Sequence, residues 1–398
     1  MTRVAIAKGE DIDKTTREAV GLLGGMKQFV KQGDVVFIKP NMVAQFFPAM
    51  TQPEVVRSVI TMCLEAGAKT VYVGENPMCQ ITSHEVFETT GLRDYYEACG
   101  AKVVLLDEKE YVEFEVPGGI VLKKIRLPKV LKEANVYISM PKMKTHCITM
   151  VTLGIKNAHG LLLDEDKGQH HCEELEQKLV DINKARPPDL VVMDAFFAME
   201  GFGPTFGEAK KMDLALASDN VISIDSVASQ IMGYDPLSVG TTRLGTEQKF
   251  GDVNPIILGL DVKDVAAKFK PGTFDIPERM GGAKFIRGKT DPGYEGMLKL
   301  GLGLFFGYSD AFRDEFAKVK GLSIVYGYVE GGVADDKVIL YGDEALRTKV
   351  KARRVLRMKG HPPTNWITLM RWITSECRLS VLDYFISSLW SARDHKRR

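Results

Sequence analysis

The feature that most restricts the fold is a repeated change of hydrophobic period. Across residues 1–260, short β-branched runs alternate with amphipathic stretches that end in glycine. Residues 4–7 read as a strand and 14–31 as a helix closing near Gly33. Residues 35–39 form a strand stopped by Pro40, and 53–66 a helix opened by Pro53 and closed by Gly67. Strand 70–73 follows, and helix 92–99, Gly100 and strand 102–106 repeat the unit. Proline suits the first helical turn because its missing N–H is unbonded there anyway. Glycine suits the left-handed residue that ends a helix. Strands separated by helices pair in parallel through crossovers.

Residues 112–127 interrupt this rhythm. Two alternating runs flank Pro117-Gly118-Gly119, which predicts a β-hairpin at a sheet edge. Strand 136–139, helix 173–184, strands 190–193 and 214–217, and helix 223–232 then resume the pattern. Beyond residue 260 the composition shifts. Residues 271–296 predict a long irregular connection, followed by helix 311–319, strands 323–328 and 337–341, and helix 344–350. The expected fold is α/β: a mostly parallel sheet with helices on both faces, an inserted β-hairpin and a smaller α/β C-terminal extension. Residues 1–260 would carry the site, and 261–398 the extension with a basic, amphipathic helical tail.

Charge and cysteine usage bound the function. There are 53 Lys/Arg against 52 Asp/Glu, so net charge calls for neither a nucleic acid nor an acidic partner. Residues 347–398 nevertheless carry 13 Lys/Arg against Glu376, Asp383 and Asp394, together with Trp366, Trp372 and Trp390. That tail is a candidate contact surface, but it has no recognised nucleic-acid motif, and no nucleic-acid partner is expected. Leu382, Phe385, Ile386 and Leu389 share one helical face. A docking or homodimer seam through this C-terminal helix is favoured over a membrane-surface helix. The six cysteines include no CxxC pair, which fits a reducing compartment. Residues 1–11 read as a strand rather than a signal peptide. The apolar stretch 297–308 is too short to span a bilayer and contains Lys299, so a cytoplasmic protein without a transmembrane segment is expected.

Ligands of parallel α/β sheets bind at the carboxyl ends of the strands. Four strands here end in charged or amide residues: Lys39 and Asn41, Glu75, Lys142 with Lys144 and His146, and Asp194 followed by Glu200, Gly201 and Gly203. The densest stretch, 141–172, holds Lys142, Lys144, Lys156 and Lys167 with His146, His159, His170 and His171, and its glycines make it loop-like. Ammonium groups and open backbone amides favour phosphate or carboxylate. A neutral imidazole among them suits proton transfer near neutral pH. His146, Cys147, His171 and Cys172 also offer nitrogen and sulfur ligands to a metal ion. Both readings stay open. The Gly-rich run 200–207 is neither a dinucleotide fingerprint nor a P-loop. Asp219 and Asp225 read as supports for the helix that follows them.

Lys39-Pro-Asn41, the Pro53-Glu-Val-Val helix start, Gly74-Glu75, Pro141-Lys-Met-Lys-Thr-His146, Gly154-Ile-Lys-Asn157 with Gly160, and Glu200-Gly-Phe-Gly-Pro204 form one ordered set. This set resembles the domain-of-unknown-function 362 family over about residues 1–260. Such proteins are common in anaerobic bacteria and archaea. Many carry a ferredoxin-type iron–sulfur module, and no reaction is generally assigned to them. The resemblance implies that Lys39, Asn41, Lys142, Lys144, His146, Lys156, Asn157 and one of His170 and His171 share a pocket. This chain has no CxxCxxC run, so no ferredoxin-type cluster is expected. Glu344 and His361 stand where related Gly-Asp-Cys-Ala and Gly-Cys-Pro-Pro patterns of iron–sulfur redox proteins have cysteines.

The leading expectation is an enzyme of anaerobic metabolism on a small anionic substrate. Lysines would bind the anion, and His146 with His170 or His171 and Lys144 would serve proton abstraction beside a carboxylate, as in racemase or lyase chemistry. Asn41, Glu75, Asn157, Asp194 and Glu200 would complete the binding site. A metal- or iron–sulfur-linked redox accessory protein and a non-catalytic anion sensor are the alternatives.

Overall fold

The structure, a computed structural model, describes all residues except 44–46, 78–80, 171–173, 202, 206, 273–275, 277, 291–294, 297, 300, 303–313, 361–362, 364–365 and 378–398. It divides into two compact units, Met1–Gly272 and Thr273–Arg398.

The first unit begins β1 (Arg3–Lys8), α1 (Ile12–Leu22), β2 (Val35–Pro40), α2 (Pro53–Glu65), β3 (Thr70–Glu75), α3 (Ser83–Thr89), α4 (Leu92–Ala98) and β4 (Lys102–Leu105). The hairpin β5 (Tyr111–Glu115) and β6 (Lys124–Pro128) precedes α5 (Val130–Glu133), β7 (Val136–Met140), β8 (Lys142–His146) and β9 (Met150–Val151). Next come α6 (Leu153–Asn157), α7 (Asp164–His170), α8 (Leu175–Ala185), β10 (Leu190–Glu200) and β11 (Glu208–Ser218). The unit closes with α9 (Val221–Ile231), α10 (Gly240–Glu247), β12 (Ile256–Gly259) and α11 (Val262–Val265).

Its main sheet runs β12-β1-β11-β10-β7-β2-β3-β4, with β8 paired to β10 and β9. Every pairing along that path is parallel except those made by β11. Alternate residues of each strand feed two cores. Phe37, Val191 and Met193 pack with Leu153, Leu179 and Ile224 on one face. Val36, Ile38 and Val192 pack with Val20, Val56 and Phe87 on the other. The period of two along a strand thus explains why helices cover both faces.

Strand order reverses at β2. The chain builds outward through β3 and β4, then returns to lay β7 on the opposite side of β2. Helices α2 to α4 contribute to one core, α6 and α8 to the other. The carboxyl ends of β2 and β7 therefore lie at the switch point of the strand order, the position where such sheets bind ligands.

Several expectations are corrected. The stretch 141–172 is not one loop: Lys142–His146 continues the direction of β7 beyond Pro141 and pairs in parallel with β10. β10 is eleven residues long and extends to Glu200. β11 returns antiparallel beside it. The hairpin forms as expected, but as its own two-stranded sheet rather than on the main edge.

In the second unit, β13 (Arg279–Met280) and β14 (Gly282–Arg287) occupy the stretch expected to be irregular. They join β15 (Lys320–Tyr326); then come β16 (Val333–Ala334), β17 (Lys337–Tyr341), β18 (Val350–Lys351) and β19 (Arg354–Met358). The sheet order is β13-β14-β15-β17-β19, with β16 and β18 as a separate pair. The helix expected at 344–350 is a short 3-10 turn, Ala345–Arg347, followed by β18. The amphipathic helix with Leu382, Phe385, Ile386 and Leu389 lies outside the described residues, and with it the expected homodimer seam. Among the described residues no helix is long and apolar enough to cross a membrane.

The segment after β5 is held by one buried carboxylate. Asp181 on α8 accepts from the backbone N–H groups of Ile120, Val121 and Leu122 at 2.8–3.1 Å and from Gln177 Nε2 at 2.9 Å. Removing it strands three donors together. Asp181→Ala is expected to lower stability by about 2–4 kcal/mol, read from the urea midpoint at unchanged slope.

Candidate functional site

The carboxyl end of β2 delivers Lys39, fully buried, against the carboxyl end of β3. Its Nζ donates to Glu75 Oε2 at 2.7 Å, Asn157 Oδ1 at 3.1 Å and Pro40 O at 3.1 Å. All three ammonium protons are therefore used. Glu75 is equally committed, accepting from the backbone N–H of Met42 and of Asn76, both at 3.0 Å. A methyl group at Gly160 would sit 2.0 Å from Glu75 Oε1 and 2.9 Å from Lys39 Nζ. Glycine is required there by this close approach.

Asn157 joins α6 to the sheet. Its Oδ1 accepts from Lys39 and from Asn41 Nδ2 at 3.1 Å, and its Nδ2 donates to Ser139 Oγ at 3.0 Å. Asn41 Oδ1 in turn accepts from Lys144 Nζ at 2.8 Å. Lys144 also donates to Ala49 O at 2.6 Å and Pro204 O at 3.1 Å. Its three acceptors are neutral, and burial among Lys142, Lys156 and Lys39 holds its pKa well below the usual lysine value. Lys142 donates to Asp194 Oδ2 at 2.7 Å, both groups fully buried. Asp194 also accepts from the backbone N–H of Gln52 and of Phe196.

Lys39, Asn41, Glu75, Lys144 and Asn157 are thus brought together by direct hydrogen bonds, with Lys142 and Asp194 alongside. Lys142 and Lys156 both act electrostatically on Lys144. Lys156 is the exception among these lysines. It is 8% exposed, yet no hydrogen-bond acceptor or carboxylate reaches its Nζ among the described residues. Burial pushes its pKa down to about 7, and the nearby charges of Lys167 and Lys39 push the same way. Its neighbour Cys147 is held as a thiol by burial, at about 12. Cys147 opposes the lowering of Lys156, but burial outweighs it.

His146 is buried on β8, and its Nδ1 accepts from Ile148 N at 3.0 Å and Thr149 N at 3.4 Å. Nδ1 is thereby fixed as an acceptor, so the proton of the neutral ring is carried by Nε2.

Other expected site residues lie elsewhere or serve other ends. Glu200 pairs with Lys210 at 2.9 Å and accepts from Lys270 N at 3.1 Å, fastening the β10–β11 turn. Gly203 is pressed on β8, where a methyl would lie 1.9 Å from Thr145 O, and Gly201 O accepts from Thr145 Oγ1 at 2.8 Å. The glycine-rich run therefore packs on the site strand. His170 ends α7; burial and the Lys178 charge lower its pKa, and Asp166 opposes them. His171 and Cys172 lie outside the described residues. Among the described residues no group of three His, Cys, Asp or Glu side chains could hold a metal ion. Two open clefts, about 710 and 820 Å³ in volume, flank α9 and include none of these lysines.

Asp225 has a role that sequence reading missed. The helix it sits on is capped by Asn220, and Asp219 pairs with Arg3 at 2.9 Å. Asp225, fully buried, instead accepts from Gly154 N at 2.6 Å and Ile155 N at 2.9 Å. It therefore anchors the first turn of α6, the helix that presents Lys156 and Asn157. A methyl at Gly154 would lie 2.8 Å from its Oδ1. The Gly154-Ile-Lys-Asn157 spacing pointed to that helix, but nothing nearby in the chain pointed to its anchor.

The chain is an α/β protein with a mostly parallel central sheet and a buried cluster of lysines at the switch point of its strand order. Within that class, the chain belongs to the family described as Domain of unknown function (DUF362), whose model matches residues 36–230. It is 32% identical over 242 residues to the thylakoid-associated protein sll1697 of Synechocystis sp. (strain ATCC 27184 / PCC 6803 / Kazusa). That match covers 58% of this chain and 73% of the relative. Among solved structures, the lactate racemase apoprotein of Thermoanaerobacterium thermosaccharolyticum aligns over 83% of this chain and 70% of its own. The identity is 11% and the TM-score 0.40, so this likeness bears on neither reaction nor ligand.

Asp225 and Lys156 give opposite pH dependences. Burial raises Asp225 from 3.8 to about 8, so the folded state binds the extra proton between those values and stability falls as pH rises through them. Lys156 is lowered from 10.5 to about 7, so the unfolded state binds the extra proton and stability rises with pH across that window. Asp225→Asn is expected to lose the descending limb and Lys156→Met the ascending one. Denaturant unfolding at a series of pH values, compared by slope with the unsubstituted protein, checks both.

Proposed function

We propose that the protein is an enzyme acting on a small carboxylate or phosphate bound at the carboxyl ends of β2, β7 and β8, by lysine–histidine acid–base chemistry. The observation that carries this reading is the donor count. Lys39 and Lys144 have an acceptor for every proton, whereas Lys142 has one acceptor and Lys156 none among the described residues. Buried ammonium protons without acceptors, such as those of fully buried Lys142, are costly. An anionic ligand would satisfy them with charge-assisted hydrogen bonds.

In this reading Lys142 and the protonated form of Lys156 hold the anion, and the neutral form of Lys156, also populated near pH 7, supplies a lone pair. His146 acts as a neutral hydrogen-bond donor through Nε2, polarising a substrate oxygen while its Nδ1 stays bonded to the backbone. Proton removal beside a carboxylate is the reaction type these groups suit. Location in the cytoplasm of an anaerobic organism belongs to the same proposal, resting on the family resemblance and the cysteine usage.

Lys156→Met tests the site without breaking a pair. Its melting temperature is expected to stay level or rise, while calorimetric affinity for phosphate, lactate and malate falls by about tenfold or more, the size of one charge-assisted hydrogen bond. Unchanged affinity for whichever anion binds would reject the reading. His146→Ala is expected to abolish solvent-deuterium exchange at the α-carbon of a bound carboxylate. Binding without exchange in the unsubstituted protein would instead make it an anion sensor.

A further inference from the structure

We propose that Lys156 is a nucleophile, condensing through its ε-amino group with the carbonyl carbon of a substrate that also bears a carboxylate or phosphate, such as a 2-oxo acid. This inference rests on the anion-binding reading above and names the class of substrate.

The geometry separates Lys156 from its neighbours. A lysine with a purely structural role is best placed against a carboxylate, as Lys39 is on Glu75 and Lys142 on Asp194, each at 2.7 Å. Lys167 likewise donates to Asp164 at 2.9 Å and to the carbonyls of Asn76 and Pro77. Lys156, 92% removed from solvent, has no such acceptor among the described residues. A desolvated amine beside other cations keeps its lone pair, which is how lysines are activated toward carbonyl carbon. Its pKa of about 7 agrees with that arrangement.

The amine is also held in place. Asp225 fixes the start of α6 through Gly154 N and Ile155 N, and Asn183 Nδ2 holds Ile155 O at 2.9 Å. Asn157, the next residue, is tied to Lys39, Asn41 and Ser139. The backbone is thus fixed on both sides of Lys156. Lys142, which like Lys156 acts electrostatically on Lys144 and has one acceptor for its ammonium, would take the substrate's anionic group.

The step balances without an added reagent. The Nζ lone pair forms a bond to the carbonyl carbon, and the carbon–oxygen π pair moves to oxygen. A proton passes from nitrogen to that oxygen, giving a carbinolamine. Loss of the oxygen with the second amine proton expels water and leaves the imine. In a 2-oxo acid the imine carbon itself carries the carboxylate, so the imine withdraws electrons from C3 and eases proton removal there rather than at the carbon beside the carboxylate.

The test is borohydride reduction of the full-length protein at neutral pH with pyruvate or with acetaldehyde, followed by peptide mass spectrometry. Pyruvate is expected to leave a reduced adduct on Lys156 at about tenfold or more the level on any exposed lysine, and more than acetaldehyde leaves. Lys156→Met is expected to show no adduct above the surface background. Because that variant removes an unpaired amine, its melting curve serves as the folding control. Calorimetric binding of pyruvate with no preferred adduct at Lys156 would overturn the nucleophile and leave the anion site standing. Equal trapping of acetaldehyde and pyruvate at Lys156 would overturn the anionic class of substrate. Neither binding nor adduct would overturn both.

Discussion

The ion pair between Lys39 and Glu75 is the constraint around which the first unit is arranged. Both groups are removed from water, which costs several kcal/mol per charge unless every lone pair and proton is matched. The match is complete here, but it draws on β2, β3, the loop after each strand, and α6. Removing either partner would leave an uncompensated charge in the interior. Gly160 shows how close the packing is, since a single methyl would collide with both members of the pair.

From that pair the rest of the site follows by shared acceptors. Asn157 spends one oxygen on Lys39 and Asn41, and Asn41 spends its own on Lys144. A chain of hydrogen bonds therefore connects the ends of strands that are far apart in sequence, and its members polarise one another in a low-dielectric setting. Lys156 stands one residue from Asn157 and inherits its rigidity without joining the network. It is held in position while no acceptor among the described residues reaches it.

Part of this was legible in the residues. Lys39, Asn41, Glu75, Lys142 and Lys144 follow from parallel strands ending at one rim and Asn157 from the family resemblance, and hydrogen bonds join Lys39, Asn41, Glu75, Lys144 and Asn157. Glu200 met the same criterion but bonds Lys210 and the backbone of Lys270. Two failures have one cause. The stretch 142–146 looked like a loop because lysines and a histidine replace the apolar alternation of a strand. Yet it pairs with β10, whose residues lie about fifty positions further on. Asp225 looked like support for its own helix, and bonds instead to α6, some seventy residues earlier.

The sequence by itself determined the α/β class, the parallel order of most strands and the rim on which charged residues gather. Those follow from hydrophobic period and from helix-end chemistry, which act over a few residues at a time. Tertiary structure alone decided which lysine is left without an acceptor among the described residues. That outcome depends on where the carboxylates of Glu75 and Asp194 and the carbonyls of Ala49 and Pro204 arrive in space. Hydrogen bonds are satisfied by distance and angle, and no local pattern encodes either.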